Sequence, residues 1–371
     1  MNVKREISTS VEDLMQDGIK RLAISHDGHP VTVPPVGPAP SVEGFRARFE
    51  LLREVGKGGF STVYLCRERL TGDQYAVKVV DLRPLRLRGR DPARLRREVE
   101  IMQRLSHPNI VRFEAVFEDA DQLMVVMEYF QGRELFDQIL ERRRFSEEDS
   151  KPVFAQVASA LHYLHSLNIL HRDIKPENVL VSAQAPGAPA GAGAGATPVV
   201  KLLDFGLSKN ANSSAAKTFV GTPRYVAPEV EHTARGLGGT YSFPADCWSL
   251  GAVLYVMLVA RFPEFERDGA GRVVVKLPPE LWGGASDEAI CLIRGLMCTD
   301  PACRLTMAQT LMHPWLGRYA SSPQQLRVIT EASRALNRTL QIESEIESVP
   351  VVEMTAAGEC VHQQAMVVRG R

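Results

Sequence analysis

Between Phe49 and Leu82, apolar and polar positions alternate in three short runs, FELLREVGK, STVYLCRER and QYAVKVVDL, separated by the turn-forming GG and TGD. A period of two predicts strands, and DQLMVVMEYF at 121–130 resumes it, so an antiparallel sheet is expected from residue 49 onward. Between them, DPARLRREVEIMQRLSHPNI lengthens the period to that of a helix, with Asp91 as cap, Pro92 at the first helical position and a closing His-Pro. Past Gly132 the helical period dominates. FSEEDSKPVFAQVASALHYLHSLN opens with Ser146 and Asp149 at capping-box spacing and carries Val153, Val157, Ala160, Leu161 and Leu164 at helical intervals. The longest apolar run, WSLGAVLYVMLVA at 248–260, falls short of the ~20 residues a membrane span needs and predicts a buried core helix.

Three stretches lack either period. Residues 1–45, with HPVTVPPVGPAPS, read as a flexible leader. SAQAPGAPAGAGAGATP at 182–198 cannot bury enough surface to offset its ordering entropy and is expected as a disordered insertion between two strands. Residues 319–371 form a tail whose apolar periodicity is confined to LRVITEASRALNRTLQI.

Composition narrows the picture. A chain of 371 residues with 44% apolar content can bury a sizeable core as one two-lobed unit or two domains. Its 44 basic and 44 acidic residues cancel, which removes a global electrostatic case for nucleic acid or an anionic membrane as partner. The six cysteines form no C-x-x-C and no signal-peptide stretch opens the chain, so a reducing, cytoplasmic or nuclear setting is expected. Cys291 and Cys298, seven apart, read as the buried side of a helix. The arginines at 83, 86, 88, 90, 94, 96 and 97 read as a solvated face, and His162 and His165, without a HExxH frame, as structural rather than metal-binding.

Four elements carry candidate chemistry. GKGGFSTV at 56–63 lies between two strands, where glycines at 56, 58 and 59 let backbone N–H groups close over a phosphate; alone it fits a tight hairpin turn equally well. In the next strand a period of two puts Ala76, Lys78 and Val80 on one face, with Val63 on the same side of the neighbouring strand. Glu98 has Leu95, Ile101, Met102 and Leu105 at helical spacings, so its carboxylate points into the apolar stripe and needs a cation, for which Lys78 is the candidate; Glu100 lies on the wet face. Finally, NILHRDIKPENVLV at 168–181 strands Asp173, Lys175 and Asn178 between apolar anchors, supplying a proton acceptor, a phosphate clamp and a metal ligand, and VVKLLDFGLSK delivers a second carboxylate, Asp204.

These pieces resemble the eukaryotic protein kinase family. GKGGFSTV is similar to its glycine-rich loop, YAVK to its third-strand lysine motif, HRDIKPEN to its catalytic loop, DFG at 204–206 to its magnesium motif and APE at 227–229 to the end of its activation segment. The resemblance covers about 46–318 and implies an α+β, bilobal fold: an antiparallel small lobe with one main helix over 46–130, and a larger, mostly helical lobe over 131–318.

It also implies the site. Val55, Gly56, Lys57, Gly58, Gly59, Phe60, Ser61, Val63 and Ala76 would line ATP with Met127, Glu128, Phe130 and Glu177, the adenine meeting the backbone of Glu128 and Phe130. Lys78, paired with Glu98, would hold the α- and β-phosphates, Asn178 and Asp204 would hold Mg²⁺ (Mn²⁺ as the alternative ion), Asp173 would take the substrate proton and Lys175 would neutralise the migrating γ-phosphoryl.

Lys175 and the GTPRYVAPE segment with Thr222 are similar to serine/threonine kinases, and HPNIV, QGRELFDQIL and HPWL to the calcium/calmodulin-dependent group and its checkpoint-type relatives. Glu134 and Glu177 match positions that read basic residues upstream of the acceptor. Thr218 stands at the position where an upstream kinase would place a phosphate, to be received by Arg172. Asp246 would hold the catalytic loop, Glu229 and Arg304 would form a structural ion pair, and Met102, Phe113, His171 and Phe205 would form a column linking the lobes. HRD, DFG and the strand lysine are all intact, which favours an enzyme over a pseudokinase scaffold. Residues 321–343 carry few arginines for a calmodulin-binding helix and read first as a docking or flexible tail. Three features depart from the family pattern: Ser61 in place of the third loop glycine, the Gly/Ala insertion, and a segment of only 15 residues between Phe265 and Leu281 where a longer loop and short helix are usual.

Overall fold

The computed structural model describes residues 39–57, 61–87, 93–182, 197–203, 209–210, 223–234, 242–267, 269, 273–282 and 284–331. The first half is one five-stranded antiparallel sheet. Helix α1 (Val42–Arg48) leads into β1 (Phe49–Lys57), β2 (Ser61–Glu68) and β3 (Gln74–Asp81), and α2 (Ala93–Gln103) into β4 (Phe113–Glu118) and β5 (Gln122–Glu128), in the order β1-β2-β3-β5-β4.

Alternation gives this sheet two apolar faces. On one, Cys66, Val77, Phe117, Met124 and Val126 meet Val42 and Phe45 of α1, and Phe45 stacks on Phe49 with ring centroids 5.4 Å apart. On the other, Val80, Leu123 and Val125 meet Leu95, Val99 and Met102 of α2. Among the described residues, Val42 and Phe45 are thus packed although they lie within the stretch expected as leader. Burying Val42 and Phe45 is worth about 1.5–3 kcal/mol each, and Ser41 caps the helix by accepting the Gly44 N–H. β4 was not anticipated.

The second half is built on two long helices. β6 (Arg133–Glu134) and α3 (Leu135–Arg142) precede α4 (Glu147–Ser166), whose cap Ser146 accepts the Asp149 N–H at 3.1 Å. β7 (Ile169–Leu170), β8 (Val179–Ser182), β9 (Val199–Leu202) and β10 (Lys209–Asn210) surround the cleft. β8 pairs with β9 from Val179–Leu202 to Ser182–Val199, so the Gly/Ala insertion joins two adjacent strands; its residues 183–196 lie outside the described residues. Then follow α5 (Pro228–Ala234), α6 (Phe243–Val259), the hairpin β11 (Phe265–Arg267) and β12 (Val273–Val275), α7 (Asp287–Leu296) and α8 (Met307–Leu311).

α6 is buried along nearly its whole length, as its unbroken apolar run requires. Glu147, at the start of α4, accepts the Ser286 N–H and Oγ–H at 2.7 Å each and the Trp315 Nε1–H at 2.8 Å, fastening three parts of the lobe to one carboxylate. Partial burial works to raise that carboxyl's pKa, but these bonds outweigh it and hold it below the ordinary range. Among the described residues no helix is long and apolar enough to cross a membrane.

One expectation needs correction. Cys291 is exposed and Cys298 half-exposed, because the buried stripe of α7 runs through Ala289, Leu292, Ile293 and Leu296 and turns position 291 outward. The short segment after Phe265 is a β-hairpin, with Phe265 stacked 5.4 Å from Trp248. The tail packs at least through Glu331: Leu326 is buried, and the Thr330 hydroxyl lies 3.3 Å from His162 Nε2.

Candidate active site

The loop between β7 and β8 is nailed down by apolar residues on both sides: Ile169, Leu170, Ile174, Val179 and Val181 are all buried. Its backbone turns sharply, with Asn168 at φ 58° and Arg172 at φ 75°, a left-handed conformation that costs a non-glycine residue roughly 1–2 kcal/mol. Buried Asp246, from α6, offsets that cost. Its Oδ1 accepts the Arg172 N–H at 2.9 Å, and its Oδ2 accepts the His171 N–H at 2.9 Å and the His165 Nε2–H at 3.0 Å. Burial alone would raise the Asp246 pKa, but the His165 bond, the two histidines and the Arg172 amide reverse the shift and keep the carboxyl ionised. Asp246 thus holds the loop as expected.

The polar residues of the loop converge. Lys175 Nζ lies 2.7 Å from Asp173 Oδ2, and Asn178 Nδ2 donates to the Asp173 carbonyl at 2.7 Å and to its Oδ2 at 3.0 Å. His171 is buried, accepts the Asp173 N–H at Nδ1 (3.3 Å) and donates from Nε2 to the Leu203 carbonyl (3.1 Å), which fixes one neutral tautomer. The Leu203 N–H in turn bonds the Asn178 carbonyl at 2.8 Å. The residue before Asp204 is therefore fastened on both sides to the catalytic-loop candidates.

Across the cleft, Lys78 stands opposite Val63 and Val125, on the sheet face that α2 covers. Glu98 of α2 is half-buried while Glu100 is exposed, as the helical spacing predicts, and neither Lys78 nor Glu98 is without a partner. Ala76 lies level with Leu65 and Met127, a small buried side chain on the same face of β3 as Lys78. Val55, Gly56 and Lys57 end β1, and Ser61 and Val63 lie in β2 facing them. Phe130 is buried just past β5, and the ring fills the space where a Gly132 Cβ would come within 2.6 Å.

Glu134 occupies the N-cap position of α3, without a side-chain capping bond, near Lys175 and Glu177. Desolvation first, then the charges of Asp137 and Glu177, push the Glu134 carboxyl above its ordinary range, with Lys175 pulling the other way. Glu177 Oε2 is buried and has no donor among the described residues. Gly58, Gly59, Phe60, Asp204, Phe205, Thr218 and Thr222 lie outside the described residues.

The scaffold pair is present: Arg304, with a fully covered side chain, meets Glu229 at 2.7 and 3.1 Å and lies over the Trp248 ring. A further ion pair, near the site, was not foreseen. Lys201 of β9 contacts Glu128 at 2.8 Å, and its sequence signal was a single lysine inside the apolar VVKLL.

Comparison with known proteins adds three findings. The protein kinase domain family matches residues 49–316. A probable myosin light chain kinase of Dictyostelium discoideum is 36% identical over 279 residues, covering 72% of this chain and 83% of the relative, and myosin light chain kinase A of the same organism is 38% identical over 277 residues, covering 72% and 88%. The mouse calcium/calmodulin-dependent protein kinase type IV is 32% identical over 309 residues, covering 81% of this chain and 61% of the relative.

Proposed function

The chain belongs to the protein kinase domain family and is a serine/threonine protein kinase similar to the calcium/calmodulin-dependent group, and from that premise we propose how its cleft transfers phosphate. Protein kinases use ATP and a divalent ion; here Mg²⁺ is the ion proposed, because a carboxylate and a carboxamide oxygen suit its hard octahedral preference. The donor set fits: both Asn178 bonds to Asp173 come from Nδ2, which leaves the side-chain carbonyl as a ligand, and Asp204, next in sequence after the anchored Leu203, would supply the carboxylate. Mg-ATP, when bound, supplies the γ-phosphoryl group and much of the charge compensation.

The chain's own residues do the rest. Lys78, steadied by Glu98, clamps phosphate oxygens from the sheet. Ala76 and Met127 give the adenine an apolar slot, and the Glu128 and Phe130 backbone orients it. Asp173 orients the acceptor hydroxyl and takes its proton, and Lys175, already 2.7 Å from it, offsets negative charge as the phosphoryl moves. Substrates are proteins. The raised Glu134 carboxyl and the unanswered Glu177 oxygen favour acceptors preceded by a basic residue, which would relieve both. Phosphorylation of Thr218 by an upstream kinase, a cytoplasmic or nuclear location and a tail that docks rather than binds calmodulin complete the reading.

The observation that carries it is the cluster of Asp173, Lys175 and Asn178, tied through the Asn178 carbonyl and the His171 ring to Leu203, one residue before Asp204. Wild type and Asp173→Asn, assayed on an arrayed peptide library with Mg-ATP, test it. The variant should keep Mg-ADP affinity and lose about 10²–10⁴ in kcat; equal turnover would remove Asp173 as base. A library profile indifferent to upstream arginine would remove the Glu134 and Glu177 assignment.

A further inference from the structure

Lys201 is a cation inside an apolar strand, only 9% exposed. Its Nζ lies 2.8 Å from Glu128 Oε2, whose side chain is itself 22% exposed. The same oxygen accepts the Arg112 N–H at 3.2 Å, while the Glu128 N–H donates to the Arg112 carbonyl at 2.8 Å. β9 is further tied to the approach to β4: the Leu202 N–H bonds the Asn109 carbonyl at 2.8 Å, and the Val111 N–H bonds the Leu202 carbonyl at 3.1 Å. One carboxylate thus joins the end of β5, the chain entering β4 and the strand that runs into Asp204.

Covering two charges is expensive, and two apolar side chains would pin these segments at lower desolvation cost. An ion pair instead imposes a distance and an orientation. At one end sits Glu128, whose backbone is assigned to the adenine; at the other, β9 carries Lys201, three positions before Asp204 in the sequence. We infer that the Lys201–Glu128 ion pair is a positioning device for the nucleotide, holding the segment that takes the adenine at a set distance from the strand that presents the metal-binding carboxylate. The inference rests on the cleft being a Mg-ATP site.

It predicts a selective defect. Mg-ADP touches both ends of the brace, whereas adenosine touches only the β5 end. Dissociation constants for both are measured by calorimetry on the purified full chain, well below its melting temperature, for wild type, Lys201→Met, Lys201→Arg, Glu128→Gln and the double variant.

Lys201→Met is expected to weaken Mg-ADP about ten-fold, the loss of roughly one charge-assisted hydrogen bond's worth of positioning, and adenosine less than about two-fold. Lys201→Arg should recover most of the affinity even where Lys201→Met folds poorly. Glu128→Gln should match Lys201→Met, and the double variant should be no worse than either. Mg-ADP and adenosine weakening in parallel with a falling melting temperature would make the pair a structural pin and overturn the inference, as would unchanged Mg-ADP affinity in Lys201→Met. Wild type that takes up no Mg-ADP would remove the reading of the cleft itself, a failure distinct from either.

Discussion

His107→Gln should remove a specific acid weakness of this fold. His107 lies in the loop after α2 and is packed against the Tyr163 ring, with centroids 5.1 Å apart. Its Nδ1 accepts the Asn109 N–H at 3.1 Å, so the proton sits on Nε2, 3.3 Å from the Ser159 hydroxyl. Burial, then the nearby charges of Lys201 and His162, hold its pKa down to about 3, against 6.5 for a free histidine. The folded protein therefore keeps this ring neutral where the unfolded chain protonates it, and stability falls as pH drops below 6.5.

Between pH 7.5 and 5 the loss from this one group is RT ln[(1 + 10^1.5)/(1 + 10^−1)], about 2 kcal/mol, and it depends on the folded value only in being well below 5. Urea unfolding followed by tryptophan fluorescence at both pH values checks it. Whatever His107→Gln costs at pH 7.5, its gap to wild type should shrink by about 2 kcal/mol at pH 5. A gap that stays constant would mean that the buried ring titrates normally, and the assigned packing would be wrong.

Two further substitutions probe the scaffold. Asp246→Asn replaces an acceptor of three hydrogen bonds with a group that can serve only some of them; about 3 kcal/mol of stability should go, with kcat falling more than ATP affinity, by denaturation and kinetics respectively. Arg304→Met leaves Glu229 without its covered partner and should cost about 3–5 kcal/mol, part of which returns in the double variant with Glu229→Gln; a cost below about 1 kcal/mol would show the pair to be dispensable.

What the sequence disclosed follows the range over which each signal acts. Strand alternation placed Lys78 on the helix-facing side of the sheet, and helical spacing separated inward Glu98 from outward Glu100, because both are local periodicities read over a few residues. The cap at Ser146 and the loop from Asn168 were local too. The α1 helix is seven residues long and shows only one apolar pair, Val42 and Phe45, too little for a period to emerge from a proline-rich background. Cys291 misled because a spacing of seven is compatible with a helix face without saying which face; Leu292 and Leu296 decide that. Lys201 and Glu128 are 73 positions apart, and nothing local couples them. Glu147, Ser286 and Trp315 meet for the same tertiary reason.

The bonds that assemble the loop also bear on control. Asp173, Lys175 and Asn178 are held by one another, by Asp246 through the backbone of 171 and 172, and by Leu203 through His171 and Asn178, and all of these anchors precede Asp204 or lie on α6. A phosphate on Thr218 is then not needed to bring those three side chains together. On the proposed reading its leverage would fall on the chain that follows Leu203 and on how an acceptor peptide is received beside Glu134 and Glu177. Phosphatase-treated protein and Thr218→Ala should accordingly lose kcat and peptide affinity while nucleotide affinity changes far less. Thr218→Ala with the full activity of the phosphorylated enzyme would remove the site from regulation. A collapse of Mg-ADP affinity on phosphatase treatment would mean that the cleft depends on the segment after all, and that the Leu203 anchors alone do not hold it.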